Sequence, residues 1–323
     1  MASKKFGFLL GLIALICSTS VVGQNVVQNI WRDSSYYPTS RLPQYNEFMN
    51  NQYAYPPKPR NMWEVGVKGG LASISGDVSS NLNFGWGLHV RKALGYTVSL
   101  RAEYVHGGPS GLNWRPAKNY LLNNAWYPTY QAQKVDPVTG AQIPAKDVVY
   151  YNYKSKVNDL SLQTLFTFSN IRFHHAQTKV GLYAILGVGV LWYQTNVNAL
   201  NANGQKYDFN SINVNANYPD RKSVKEALKS MMDGSYETAA ETEGDRKWKM
   251  FGKSARLSGT VGVGLAFRIS RRLNIALEDR LTFVKDDLLD GQRWQEHATG
   301  EPVLTRNFDS YNFASLGLNI NLF

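Results

Sequence analysis

The feature that most constrains this chain is an apolar segment too short to cross a membrane as a helix. Residues 180–194, VGLYAILGVGVLWYQ, contain three glycines and carry a Trp–Tyr pair near their end. The bulky apolar side chains occupy every second position, which is the period of a β-strand. A tilted strand of about 10 residues can cross a bilayer, whereas a helix needs about 20. The segment therefore predicts a β-strand with one apolar face.

Seven further segments show the same alternation, and their polar rows are rich in glycine and carry charges of both signs. The eight predicted strands lie within residues 61–73, 84–92, 97–105, 159–168, 180–194, 256–269, 273–284 and 315–323. A soluble β-sandwich would turn the apolar rows to a core, whereas a membrane barrel turns them to lipid and the polar rows to a lumen. Small polar rows with mixed charge favour the barrel. The predicted fold class is all-β, an eight-stranded antiparallel transmembrane β-barrel with long extracellular loops.

The chain begins with a pattern typical of export. Lys4 and Lys5 precede an apolar run from Phe6 to Cys17, and small residues follow, which predicts a signal peptide over residues 1–23. Cys17 is the single cysteine, so its removal excludes a disulfide scaffold and a thiolate metal site. The net charge of +11 comes from scattered residues, so nucleic acid is not an expected partner.

The connections predict which end of the barrel faces outwards. The turns after the second and sixth strands are tight, whereas long loops are expected at about residues 106–157, 196–255 and 285–310. Short turns face the periplasm in such barrels and long loops face the exterior. The barrel is predicted over residues 61–323, after a proline-rich periplasmic leader at 24–60, in the outer membrane with both termini periplasmic.

One helix is predicted within the loops, in the segment SVKEALKSMM. Ser223 and Glu226 form a capping-box pattern at its start, and Gly234 follows its end. A helix in this place is expected to pack on its own loop, with partner binding as the alternative.

Alternation also places charged side chains inside the barrel. The predicted lumen set contains four acids and four bases: Glu64, Lys68, Arg91, Arg101, Glu103, Asp159, Glu278 and Arg280. An eight-stranded barrel is just wide enough for side chains to fill, and buried charges need partners. We therefore predict an ion-pair network that plugs the lumen. Asp279 falls on the apolar face, which predicts either a bulge near residues 278–279 or a misplaced seventh strand.

Large aromatic residues near the predicted strand ends resemble the girdle of a membrane barrel. The predicted interface aromatics are Trp63, Phe84, Trp192 and Phe283.

The sequence shows no spacing typical of a catalytic nucleophile or a metal site, so no catalytic residue, metal or cofactor is expected. An enzyme built from the long loops stays open as an alternative. Asp286, Asp287 and Asp290 precede Gly291, and calcium prefers such carboxylates. Their spacing lacks the alternation of an EF-hand loop, so a capped turn is the preferred interpretation.

Several motifs resemble the N-terminal barrel of OmpA-family outer-membrane proteins of the Bacteroidota type. They include residues 55–70, 89–104, 157–174, 231–241, 276–303 and 311–323. The resemblance implies an eight-stranded barrel with a structural envelope role. Such proteins often continue into a peptidoglycan-binding domain, and this sequence ends at Phe323, so that activity is not expected here.

The expected function is therefore that of a structural outer-membrane barrel whose outer loops contact the surroundings. The alternatives are a small porin or gated channel, and an adhesin or subunit of an envelope machine. The expected partners are outer-membrane lipid and lipopolysaccharide, the barrel-assembly machinery during insertion, and a protein bound through the extracellular loops.

Overall fold

The computed structural model describes residues 34, 37, 39–53, 63–95, 97–168, 180–212, 217–242, 248–270, 272–297 and 302–322. The predicted signal peptide and Phe323 lie outside these residues, as does most of the leader. The chain divides into two compact units, and the larger comprises residues 61–168 and 180–323. Within the smaller unit, a 3₁₀ turn (Thr39–Arg41) leads into helix α1 (Leu42–Met49), and the rings of Tyr37 and Tyr45 lie 4.8 Å apart.

The larger unit is built on eight long strands. They are β1 (Trp63–Ser75), β2 (Asn83–Ala93), β3 (Val98–Gly107), β4 (Asn152–Thr167), β5 (Val180–Val197), β6 (Lys253–Arg268), β7 (Leu273–Val284) and β8 (Ser310–Leu322). Each strand pairs antiparallel with the next, and β8 returns to β1 with Trp63 opposite Leu322. The sheet is therefore a closed barrel without a free edge. The fold class predicted from the sequence, an all-β transmembrane-type barrel of eight antiparallel strands, is confirmed.

Strand connections differ at the two ends of the barrel. Tight turns join β2 to β3 and β6 to β7, where Leu94 and Ile269 donate backbone hydrogen bonds to Val98 and Leu273. The links β3–β4, β5–β6 and β7–β8 are long and meet at the opposite end. They contain short strands at Ser110–Leu112, Lys134–Val135, Gln142–Ile143, Thr238–Ala239 and Lys249–Met250, and 3₁₀ turns at Phe209–Ser211 and Tyr218–Asp220. Strand Ser80–Asn81, in the β1–β2 link, pairs with the first of these short strands.

The outer surface of the barrel is apolar because each strand turns its bulky row outwards. Exposed side chains on this surface include Val67, Leu88, Leu100, Leu162, Val188, Val261, Leu277 and Leu318. The alternate residues point into the barrel and are buried, as the sequence alternation predicts.

The predicted bulge near Asp279 is wrong, and β7 spans Leu273–Val284 as predicted. Asp279 pairs with Val263 on one side and Ala314 on the other, in an uninterrupted register. The carboxylate stays on the outer face, where Asn312 Nδ2 donates a hydrogen bond to Asp279 Oδ1 at 2.8 Å. This hydrogen bond offsets part of the free-energy cost of a carboxylate on the apolar outer face, so the strand needs no bulge to move it.

The predicted loop helix is present as α2 (Arg221–Met231), but its predicted start is wrong. The capping box belongs to the preceding 3₁₀ turn, where Asn217 and Asp220 bond reciprocally. Ser223 instead donates to the carbonyl of Asp220. The helix buries Val224 and Leu228 against the loops, which agrees with the expected packing on its own loop.

Candidate functional site

The middle of the barrel interior is occupied by charged side chains from four strands. The set, here called the ionic layer, consists of Lys68, Arg101, Glu103, Asp159, Glu278 and Arg280, each at most 5% exposed. Three cations and three carboxylates make the layer electrically neutral. All six belong to the lumen set predicted from the sequence.

Lys68 connects strands on different sides of the barrel. Its Nζ atom lies 2.6 Å from Glu103 Oε2 on β3 and 2.5 Å from Glu278 Oε2 on β7. Lys68 sits on β1 between Gly87 and Gly317 on the neighbouring strands, so neither neighbour presents a side chain beside it. The lysine can therefore extend to carboxylates that are far away in the sequence.

Two arginines complete the ionic layer. Arg101 Nε lies 3.1 Å from Glu103 Oε2, and its Nη1 lies 2.6 Å from Glu278 Oε1. Arg280 Nη1 and Nη2 each lie 3.0 Å from a carboxylate oxygen, of Glu103 and Asp159 respectively. Each carboxylate thus has at least one cation in direct contact, as buried charges require.

Uncharged groups hold the ionic layer in place. Gln163 Oε1 accepts a hydrogen bond from Arg101 Nε at 2.8 Å, and Tyr183 OH donates to Glu278 Oε1 at 2.5 Å. The ring of Tyr183 lies where a side chain at Gly264 would stand. Only glycine at that position lets the tyrosine cross β6 to reach Glu278.

The two remaining members of the predicted lumen set form a separate pair near the tight turns. Arg91 Nη2 lies 2.7 Å from Glu64 Oε2, and His89 Nε2 lies 3.7 Å from Glu64 Oε1. The arginine side chain is 22% exposed, whereas that of Glu64 is buried. The structure therefore brings together all eight predicted residues, but in two groups, with no salt bridge between the groups in the described part of the chain.

The predicted interface aromatics occupy two kinds of environment. Trp63, Phe84 and Phe283 are exposed on the outer face of the barrel. Trp192 is 7% exposed, because its ring packs 6.1 Å from that of Tyr104 and 5.8 Å from that of Phe251. Trp192 is therefore covered by neighbouring rings instead of facing outwards freely.

Apolar side chains fill the barrel end that carries the long loops. Inward residues of the strands, such as Ile74, Val105 and Leu191, join loop residues in one buried cluster. We call the loop part of this cluster the aromatic cap; its large rings are Tyr120, Trp126, Tyr130, Tyr150, Tyr151, Tyr207 and Phe209. Strands β4, β5 and β6 contain 16, 18 and 16 residues, more than the roughly 10 needed to cross a bilayer. Their extra length supports the cap.

Phe209 lies at the centre of the aromatic cap. Its ring centroid is 5.6 to 6.3 Å from those of four other rings, which belong to Trp126, Tyr130, Tyr150 and Tyr207. Phe209 comes from the β5–β6 loop, whereas Trp126, Tyr130 and Tyr150 come from the β3–β4 loop. The two longest loops are thus packed into one body.

Hydrogen bonds attach the β7–β8 loop beneath the aromatic cap. The hydroxyls of Ser155 and Thr195 donate to the carbonyl of Leu289 at 2.6 and 2.8 Å. Asp290 Oδ2 accepts from the backbone of Val78 at 2.8 Å, which adds the β1–β2 loop. The three aspartates 286, 287 and 290 thus belong to a structured turn, as the preferred interpretation of this segment expected.

Asp290 and Asp309 form a buried carboxyl pair in this turn. Both are 1% exposed, and an oxygen of each lies where a side chain at Gly76 would stand. Burial, together with the charges of neighbouring aspartates, raises the pKa of Asp290 to about 8 and that of Asp309 to about 10. At neutral pH the folded loops therefore hold protons on these groups that an exposed aspartate would have lost.

Sequence reasoning missed two parts of this interior. Gln163 and Tyr183 stand on the inward parity of β4 and β5, so the alternation contains a signal for them, although they carry no charge. The aromatic cap has no periodic signal, because its rings come from irregular loops.

In the described residues, no group of three or more His, Cys, Asp or Glu is placed to hold a metal ion. No described helix is long and apolar enough to span a membrane.

No family model and no curated relative match this chain. Its fold is similar to solved outer-membrane barrels. Neisserial surface protein A is 7% identical, with 81% of this chain and 98% of that chain covered and a TM-score of 0.39. The N-terminal barrel of Pseudomonas aeruginosa OprF is 10% identical, covering 80% and 97%, with a TM-score of 0.30. The Escherichia coli outer membrane protease OmpT is 9% identical, covering 80% and 96%, with a TM-score of 0.33. Likeness at this level carries no argument about activity.

Proposed function

We propose that this protein is a structural integral barrel of the outer membrane whose interior is closed to solutes and whose loops form a rigid external surface. The observation that carries the proposal is the fully paired ionic layer lying beneath the aromatic cap. An ion that crossed the lumen would have to separate buried pairs, and a buried charge that loses its partner is strongly destabilised. Two stacked obstructions thus close the same interior.

The apolar outer face supports the membrane location. A band of exposed Leu, Val and Phe around a closed barrel is the surface that hydrocarbon covers, and closure satisfies the backbone inside lipid. On this proposal the tight turns and both termini face the periplasm, and the long loops face outwards. Lipid and lipopolysaccharide surround the band, and the barrel-assembly machinery inserts the chain.

The proposed role is not catalytic. The acids of the ionic layer are engaged by cations, so none of the three is free to serve as a general base. The residues 24–323, folded in detergent, should release no product from lipid A or from a mixed peptide library. Turnover that survives repurification would contradict this part of the proposal.

Planar-bilayer conductance of residues 24–323 tests whether the interior is closed. We expect the unmodified protein to be silent. Arg101→Ala should produce openings, because it removes a cation that contacts two carboxylates. Arg306→Ala, which removes an exposed loop arginine, is the matched control and should stay silent.

Steady openings of the unmodified protein would overturn the proposal. If Arg101→Ala enlarged them, the gated channel would become the better function. If Arg101→Ala and Arg306→Ala behaved alike, the ionic layer would not control passage.

A further inference from the structure

A row of cations lies along one side of α2. At about 100° per residue, Arg221, Lys222, Lys225 and Lys229 fall within one arc of roughly 100° on this helix, beside the face that buries Val224 and Leu228. Together with Arg115 of the β3–β4 loop they are here called the basic flank. In the described part of the chain, no salt bridge joins a residue of the basic flank to a carboxylate.

Aromatic rings fix one end of the basic flank. The guanidinium of Arg221 lies 4.1 Å from the ring centre of Tyr218, and that of Arg115 lies 5.0 Å from the ring centre of Trp114. The two rings meet edge to face at 6.3 Å, which joins the β3–β4 and β5–β6 loops. Two cations are thus held in place before any ligand binds, which lowers the entropy lost on binding.

The lysines supply separate single charges along the helix. Lys222, Lys225 and Lys229 are three and four residues apart, so neighbouring side chains start about 5–6 Å from each other. Partial burial, and the charge of Lys229, lower the pKa of Lys225, so the row gains from an external anion. Ammonium groups act as point charges and suit an extended ligand with single, spaced anionic groups.

We propose that the basic flank binds an acidic polysaccharide, a chain whose successive sugars each carry at least one carboxylate or sulfate. This deepens the proposed function by naming a ligand class for the outer loops, and it rests on those loops being outside. A chain of spaced anions matches both the lysine row and the arginines fixed beside Tyr218 and Trp114.

Other anionic partners fit the basic flank less well. A membrane-surface helix must offer its apolar face to lipid, and α2 buries that face within the loops. Stacking of successive bases needs open ring faces, whereas each ring here has an arginine over one face, and the two rings also pack edge to face against each other. Protein interfaces are depleted in lysine at their core.

The experiment measures polysaccharide binding to residues 24–323 folded in nanodiscs of zwitterionic lipid. We expect heparin and polygalacturonate to bind and neutral dextran of similar size to show no binding. Binding should weaken about tenfold or more from low to high salt, because exposed charges are screened. Binding does not depend on conductance, so failure here is distinguishable from failure of the proposed function.

Matched variants locate the site. The triple change Lys222→Ala, Lys225→Ala and Lys229→Ala should weaken binding at least tenfold. The control triple, Lys118→Ala, Lys134→Ala and Lys146→Ala, removes the same charge from exposed loop positions and should weaken it less than twofold. Tyr218→Leu, which removes the ring beneath Arg221, should weaken it about threefold.

Any one of the following results would overturn the proposal. Equal losses in the two triple variants would show attraction to net charge alone. Binding of dextran as tight as that of heparin, or no binding of either acidic polymer, would exclude the ligand class. Tighter binding of anionic vesicles or single-stranded DNA than of either polymer would assign the basic flank to lipid or nucleic acid.

Discussion

The ionic layer and the aromatic cap occupy the same barrel interior and are held together by opposite chemical means. In the ionic layer, the arrangement depends on six charges whose partners come from strands on different sides. In the aromatic cap, it depends on rings packed between irregular loops. The first set is arranged by strand register and the second by side-chain shape. Damage to the ionic layer should therefore affect the whole barrel, whereas damage to the cap should affect the loops alone.

The largest effect is expected from Glu278→Gln. This change keeps the side-chain shape but leaves three buried cations with two carboxylates, and loss of one buried partner costs about 3–5 kcal/mol. Urea unfolding from lipid vesicles should show this loss of unfolding free energy for the entire barrel. Glu226→Gln, on the exposed face of α2, should change it by less than about 0.5 kcal/mol. Equal, small changes in the unfolding free energy of both variants would show that the ionic layer does not stabilise the whole barrel.

Phe209→Ala should destabilise the aromatic cap without destabilising the strands of the barrel. Removing a fully buried phenylalanine costs about 3–5 kcal/mol when it leaves a cavity, and here the cost falls on contacts with four other rings. Limited proteolysis should cut the β3–β4 and β5–β6 loops faster, while the urea midpoint of the barrel stays unchanged. Phe308→Ala, a change at an exposed ring of the β7–β8 loop, is the control. A lowered barrel midpoint for Phe209→Ala would show that the two regions are one cooperative unit.

A third effect concerns pH and the carboxyl pair beneath the cap. Since the pKa values of Asp290 and Asp309 are raised to about 8 and about 10, the folded loops bind more protons than the unfolded chain above about pH 4. Loop stability should therefore fall as pH rises from 5 to 9. Proteolysis rates at the two pH values measure this change.

Asp309→Asn should flatten that dependence, because the amide stays neutral throughout. Asp136→Asn is the control: backbone hydrogen bonds from the Val138 and Thr139 amides, with a side-chain bond to Thr139, lower the pKa of Asp136, so it is ionised over the whole range. Loop stability that rises with pH in the unmodified protein would contradict the assignment of the buried carboxyl pair.

Strand pattern explains how much of this fold the sequence could predict. A period of two is local, so the positions of β1 to β8 and the inward direction of Lys68 or Arg280 can be predicted without knowing any partner. The pairing of Lys68 with Glu278 could not be predicted, because these residues are 210 positions apart and their contact depends on registers across the whole barrel.

The cap shows the opposite limit. Phe209 and Trp126 lie in segments without period, so their meeting follows from how two loops fold together and not from any local rule. The bulge predicted at Asp279 was wrong for a different reason. Alternation placed the side chain correctly on the outer face, but the sequence does not reveal that Asn312 on β8 donates a hydrogen bond to it. The function was harder to predict than the fold, because rows of charged inward side chains are compatible with a plug and with a channel.

Closure of the barrel also has a consequence for its charge balance. Lys68 lies on the first strand, whereas one of its two carboxylates, Glu278, lies on the seventh, and β1 pairs with β8 across the closing seam. A barrel without its last strands would leave Lys68 with Glu103 alone and Arg280 absent. The ionic layer is therefore complete only when every strand is in register, so its charges balance in the finished barrel and not in a part of it.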